Sequence, residues 1–321
     1  MMDIETARLR ADMLHETRSF FRSLGFLETD TPLLAEKVIP ESTIELFPAR
    51  FSHPYGEDRE LYLLPSPEYW LKKVLGAFPE TPIFQLAKAF RNREQTGRLH
   101  NIEFTMLEWY RPQSDYLQSM EDTEALIRHM CRAAGREEPR FKRLSVEEAC
   151  HELAGIELRP LCAGLEPLQA EANRLEIAFE PSDSWNDLFQ RIFISLVEPE
   201  IPTDEPLFLT DYPAEIVCLA KKKPGTPYRE RWELYWQGME LANCYSELID
   251  PAAVRSLFEE EGAEKERIAA VPVAIDREYW RVFEGDYPES SGVALGFDRL
   301  MMILAEKEAI DEVIYFPFSP D

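Results

Sequence analysis

Apolar and polar positions alternate most cleanly between residues 84 and 111, FQLAKAFRNREQTGRLHNIEFTMLEWYR, on both sides of a polar, cationic loop. The alternation predicts two strands joined by that loop. On the returning strand, a period of two puts Phe104, Met106, Glu108 and Tyr110 on one face and Thr105, Leu107 and Trp109 on the other. Upstream, Leu9, Met13, Phe20, Phe21 and Leu24 recur at helical spacing that stops at Gly25, and an extended FLETDTPLL segment follows. Ser66-Pro67-Glu68 opens a further helix, with serine as its N-cap and proline in its first turn. Residues 115–134 read as another helix, and less regular helices and loops run on to about Pro206. PLFLTDYP, AEIVCLA, ERWELYW and MELANCYSELI then read as strands, the last two joined by a turn at Gln237-Gly238. SGVALGFDR leads into a helix beginning near Leu300. With no repeat or linker, the expectation is one domain over residues 1–321 carrying a helical insertion at roughly 112–206.

These elements carry recognisable chemistry. Glu108 and Tyr110 project from a strand that is apolar on both sides, which marks a buried polar site. Arg91, Arg93, Arg98 and His100 bring donors suited to polyphosphate beside it. Taken alone, Arg91 could equally be an ion-paired residue at a strand end. If Gln237-Gly238 is a two-residue turn, Glu233 and Glu240 share a face. Paired carboxylates of that kind suit Mg²⁺ held jointly with phosphates and water, although two solvated acids would look the same. Asn243, Tyr245 and Glu247 share a face by their spacing of two; Glu240 has the opposite parity, so joining them requires a β-bulge near Ala242. With Glu108 and Tyr110, that face would supply two carboxylates and two phenols, a setting for a long side chain ending in ammonium. Gly292 and Gly296 allow close backbone approach, and Arg299 at a helix start can reach a terminal phosphate.

Composition narrows the partners. The 321 residues are 45% hydrophobic, enough for a sizeable core. No apolar run reaches the ~20 residues of a membrane span, and the N-terminus lacks a signal-peptide core. Five widely spaced cysteines without a CxxC pair argue against a metal or disulfide framework and suit a reducing cytoplasm. The net charge of −25 argues against a large nucleic-acid footprint. The one dense basic run, Lys221-Lys222-Lys223, falls in a predicted loop.

The segment from Phe84 to Arg111 resembles motif 2 of class II aminoacyl-tRNA synthetases, and HN-x-EFTMLEWYR is similar to the lysyl branch. The N-terminal helix, strand and Pro32 resemble motif 1, and Gly292–Leu300 resembles motif 3. The resemblance implies an α+β catalytic domain, a mostly antiparallel sheet flanked by helices, dimerising through motif 1. It makes Arg91 and Arg299 the catalytic, phosphate-binding arginines. It assigns Glu94, His100, Asn101, Phe104 and Glu240 to ATP, with Phe104 stacking on adenine, and Glu233 with Glu240 to Mg²⁺. Ser66, Glu68, Glu108, Tyr110, Asn243, Tyr245, Glu247 and Ala294 fall to the amino acid, Glu68 taking its backbone-side amine.

Because the motif 1 helix begins almost at residue 1, no anticodon-binding domain is expected before it, and tRNA is not the expected acceptor. SPEYWLKK, EFTMLEWYR and GVALGFDRL, with Ala294 where synthetases usually have glycine, resemble the elongation factor P–(R)-β-lysine ligase family. That implies ATP-dependent activation of β-lysine or lysine and transfer to a lysine of elongation factor P. An asparagine-synthetase-type ligase acting on small molecules and a regulatory paralogue remain alternatives. Arg93, the longer motif 2 loop and Ile102 depart from the family pattern.

Overall fold

A computed structural model describes residues 2–318. In chain order it begins with helix α1 (Ile4–Ser23), strands β1 (Leu27–Glu28), β2 (Leu34–Ala35), β3 (Phe47–Phe51) and β4 (Arg59–Leu63), and helix α2 (Glu68–Ala77). Strands β5 (Ile83–Phe90) and β6 (Glu103–Pro112) and helix α3 (Tyr116–Ala133) follow. Next come β7 (Lys142–Ser145), α4 (Val146–Ala154), α5 (Leu158–Leu161), α6 (Leu165–Arg174) and α7 (Trp185–Ile192). The chain continues through β8 (Leu207–Pro213), β9 (Tyr228–Trp236) and β10 (Met239–Ser246), and ends with α8 (Pro251–Ile268), β11 (Ser290–Gly296) and α9 (Phe297–Leu304). Two compact units form, Met1–Glu138 with Ile249–Asp321, and Pro139–Leu248.

In the first unit the strands run β1-β5-β6-β11; only the β1–β5 pair is parallel. A small antiparallel sheet, β2-β4-β3, accompanies it. The period-two expectation holds along β6. Its Thr105, Leu107, Trp109 side packs on α1, where Phe21 lies 4.7 Å from Phe84 and 5.1 Å from Trp109 between ring centroids. Asp3 caps α1 by accepting from the Thr6 amide at 2.7 Å, and the helix stops before Gly25, whose φ of +81° a side chain would resist. At α2, Pro67 rather than Ser66 occupies the cap position, but the Ser66 hydroxyl still accepts from the Glu68 amide at 3.3 Å.

The second unit orders its strands β10-β9-β8-β7, antiparallel except for β7–β8. Helices α4–α7 cover it with a core including Val146, Leu168, Leu188, Phe189 and Leu207. AEIVCLA is not a strand: residues 214–220 are turns with one isolated bridge at Ala220. Lys221–Lys223 is no free loop tip either, because Lys221 and Lys223 donate backbone bonds to Ser246 and Tyr228, and the Lys223 ammonium pairs with Asp211 at 2.8 Å. Among the described residues, no helix is long and apolar enough to cross a membrane.

Helix α9 starts at Phe297, three residues earlier than expected, which puts Asp298 and Arg299 in its first turn. There Asp298 meets Arg10 of α1 at 2.6 Å and accepts from the Thr105 amide of β6 at 2.6 Å. Arg10 also donates to the Thr105 hydroxyl at 2.9 Å and the Val313 carbonyl at 3.1 Å. Both charged side chains are under 10% exposed. Removing one partner strands the other charge in a low-dielectric setting. Arg10→Met therefore lowers the unfolding free energy in urea by about 3–5 kcal/mol. Arg59→Met, which breaks an exposed pair with Glu36, costs under about 1 kcal/mol.

Candidate active site

In the first unit the phosphate-type donors gather at the ends of β5, β6 and β11. Arg91 follows β5 and extends its pairing, its amide donating to the Ile102 carbonyl at 3.0 Å. Its guanidinium carbon lies 5.2 Å from the centroid of the Phe104 ring, so the two residues expected to meet a nucleotide already face each other. The buried Arg91 Nε has no hydrogen-bond partner among the described residues, which fits a donor kept for an anionic ligand. Arg299 Nη2 donates to His100 Nε2 at 2.7 Å. That bond requires a neutral imidazole, and burial, followed by the Arg299 charge, lowers the His100 pKa accordingly. Glu94 lies 3.9 Å from the same ring nitrogen, and Asn101 is buried beside the loop. Arg93 adopts a positive φ of 56° and is exposed.

The amino-acid residues expected on β6 also assemble. The Tyr110 hydroxyl donates to Glu108 at 2.8 Å. Register places Ala294 across from Glu108 and Gly292 across from Tyr110, so small residues flank the carboxylate–phenol pair. In α2, Glu68 does not stand alone. Lys72, fully buried, pairs with it at 2.6 Å and also lies 5.9 Å from the Tyr110 ring centroid. That internal ammonium, beside the acids expected to face the substrate, was not singled out in the sequence.

In the second unit the turn at Gln237-Gly238 has positive φ at both residues, 52° and 71°, the type I′ pattern. Register puts Glu240 opposite Tyr235, Asn243 opposite Glu233 and Tyr245 opposite Arg231. A bulge between Glu240 and Ala242 reconciles the parities, so Glu233, Glu240, Asn243 and Tyr245 share one face as expected. Glu247, buried just beyond β10, keeps the spacing of Asn243 and Tyr245 and bridges to Ala220.

Glu233 itself is heavily engaged. It accepts from the hydroxyls of Tyr212 at 2.7 Å and Tyr235 at 2.8 Å and pairs with Arg231. Arg231 was missed in the sequence; its guanidinium also stacks 4.5 Å from the Tyr212 ring and 5.6 Å from Tyr245. Burial, then the charges of Glu233 and Glu240, push the Tyr235 phenol well above its ordinary range and keep it a donor. Among the described residues no group of three His, Cys, Asp or Glu side chains could hold a metal. Of the two acids expected to hold Mg²⁺, Glu233 is thus already engaged by Arg231 and two tyrosines.

Residues 4–320 match the model of tRNA synthetases class II (D, K and N). The chain belongs to that family. It is 36% identical over 319 residues to the elongation factor P–(R)-β-lysine ligase of Vibrio vulnificus, covering 98% of this chain and 96% of the relative. The Haemophilus influenzae ligase of the same name is 35% identical over 316 residues, 98% and 95% of the two chains. That of Hamiltonella defensa is 36% identical over 315 residues, 96% and 93%. Membership makes the chain an ATP-using ligase of the class II synthetase type, with the α+β fold expected of it.

The Arg231–Glu233 pair gives a test within this site. Replacing either partner leaves the other buried without its charge. Arg231→Met and Glu233→Gln are each expected to cost roughly 3 kcal/mol in urea unfolding, while the double variant costs little more than either single one. Additive losses would show that the pair is not coupled.

Proposed function

We propose that this chain activates (R)-β-lysine, or lysine, with ATP and transfers it to a lysine side chain of elongation factor P. The observation that carries this reading is the hydrogen-bonded Glu108–Tyr110 pair lying across from Ala294, in a chain related over nearly its full length to ligases of that name. A carboxylate and a phenol on a buried strand suit an ammonium, and the alanine methyl narrows the floor beside them.

The chemistry needs no covalent enzyme intermediate. Arg91 and Arg299 grip the phosphates, with Glu94, His100 and Asn101 around them, while Phe104 stacks on the adenine. A carboxylate oxygen of the amino acid attacks the α-phosphorus. The bond to pyrophosphate breaks, giving an aminoacyl-adenylate, and Arg91 stabilises the charge that develops. Glu240 would hold Mg²⁺, which offsets charge on the departing pyrophosphate; Glu233 supports that strand face through Arg231 and the two tyrosines. The acceptor amine then attacks the acyl carbon, loses a proton and expels AMP. Ser66 and Glu68 take the backbone-side amine. Glu108, Tyr110, Asn243, Tyr245 and Glu247 serve the side-chain ammonium.

A homodimer through α1 belongs to the same reading. Leu24, Leu27, Leu33 and Leu34, at and just after that helix, are exposed large apolar side chains of the kind an interface covers. The five free cysteines suit the reducing cytoplasm we assign to it.

Arg299→Ala and Glu240→Ala each lower amino-acid-dependent ATP–pyrophosphate exchange by about 10²-fold or more while leaving the melting temperature near that of the parent. Ala294→Gly shifts the preference toward α-lysine by ~1–3 kcal/mol in kcat/KM, the scale of a one-carbon packing change. In a reaction of enzyme, ATP and labelled β-lysine offered both bulk tRNA and elongation factor P, label goes to the protein. Label on tRNA alone would return the chain to the synthetases, and label captured only by free ammonia would favour the small-molecule ligase.

A further inference from the structure

The segment between β2 and β3 carries an acid that the motifs do not account for. Glu41 lines a small cavity with Val38, Ile39, Leu64, Ser66 and Tyr69, so it opens onto the same space as the residue that precedes Pro67-Glu68. The backbone presenting it is fastened on several sides. Lys265 of α8, itself almost completely buried, donates to the Glu41 carbonyl at 3.0 Å and to the Ile44 carbonyl. Glu261 accepts from the Ser42 amide at 3.2 Å. Asn92, next to Arg91, donates its amide to the Glu45 carbonyl at 2.9 Å and its side chain to the Leu46 carbonyl at 3.1 Å. The segment is therefore preorganised against both α8 and the motif 2 loop, the support expected of a binding residue.

The Glu41 carboxylate itself makes no hydrogen bond or ion pair among the described residues. The charges that reach it come from Glu68 and Lys72 of α2, Arg91 after β5 and Lys265 of α8. A half-buried carboxylate with no hydrogen-bond donor of its own, beside an acid already paired with Lys72, is open to an ammonium. We propose that Glu41 is a further specificity-determining residue that shares with Glu68 the amine at the reacting end of the amino acid. Two carboxylates near enough to feel each other's charge would hold an amine on either the α or the β carbon, the range a β-amino acid needs. The inference deepens the ligase reading and rests on it.

The state of Glu41 supplies a readout that a structural role would not. Burial, then the Glu68 charge, pushes its pKa up to about 7, against the pull of Arg91, Lys265 and Lys72. The raised value means that the free enzyme holds a proton there below pH 7, and the proton must leave before an ammonium is bound. Affinity for the amino acid therefore falls as pH drops below 7, roughly tenfold per unit, and levels off above it.

The test measures kcat/KM for β-lysine in ATP–pyrophosphate exchange from pH 5.5 to 8.5 in the parent, Glu41→Gln and Glu41→Asp, with melting temperatures as the fold control. The expected result is a limb near pH 7 in the parent that persists in Glu41→Asp and disappears in Glu41→Gln. In Glu41→Gln the KM for β-lysine rises about thirtyfold at pH 8. The KM for ATP does not change, nor does the inhibition constant of an ω-amino acid of the same length lacking the reacting-end amine. A Glu41→Gln enzyme with the parent's KM and pH limb overturns the proposal. So does a variant that loses β-lysine and the amine-free analogue equally. A parent enzyme inert toward every lysine-type acid overturns the ligase reading, and this proposal with it.

Discussion

The ion pair between Arg10 and Asp298 ties together parts of the chain that lie almost three hundred residues apart. Asp298 receives the Thr105 amide on its other oxygen, and Arg10 reaches the Thr105 hydroxyl and the Val313 carbonyl as well. The residues next to these anchors are the ones that would meet the nucleotide: Phe104 precedes Thr105, and Arg299 follows Asp298. Arg299 leaves the same helical turn as Asp298 and meets His100. Burying two charges is costly, and an apolar pair of equal volume would often hold the helices as well. The dependence of Phe104 and Arg299 on one charged junction gives the pair a positional role that an apolar contact would not supply.

A second constraint acts in the Pro139–Leu248 unit. Without the bulge after Glu240, a period-two strand would turn Glu240 to one face and Asn243 and Tyr245 to the other. One extra residue brings them together opposite Tyr235, Glu233 and Arg231. This requirement was visible in the sequence because parity along a strand is strict: either the assignment of Glu240 was wrong or a bulge had to exist. The alternation of β6 was legible for the same reason, since a half-buried strand leaves a clear pattern of side-chain types.

The misreadings have equally physical causes. AEIVCLA looked like a strand because it is short and apolar, but Val217 is 45% exposed while Ile216 and Leu219 are buried, an irregular pattern made by turns. The start of α9 was set too late because Gly296 reads as a break, although the helix begins directly after it. Lys72, Arg231 and Glu41 were missed for a different reason. Each gains its meaning from burial or partners that only the fold supplies: the buried setting of Lys72 near Tyr110, the cross-strand Tyr245, and a lysine on α8 more than two hundred residues away. A lone charged residue in an acidic chain gives no local sign of such company. Motif residues were readable because their spacing encodes one strand or one turn; the residues that support them are spread across elements and carry no such signal.

The central claim is that the parts which activate an amino acid here serve a protein acceptor. The most direct measurement is site-resolved mass spectrometry of elongation factor P made in cells together with this chain or with its Arg299→Ala variant, with β-lysine supplied. The account predicts that one lysine of elongation factor P gains the mass of a single lysyl group with the parent enzyme and stays unmodified with the variant. Elongation factor P left unmodified by an enzyme that nevertheless forms the adenylate would contradict it.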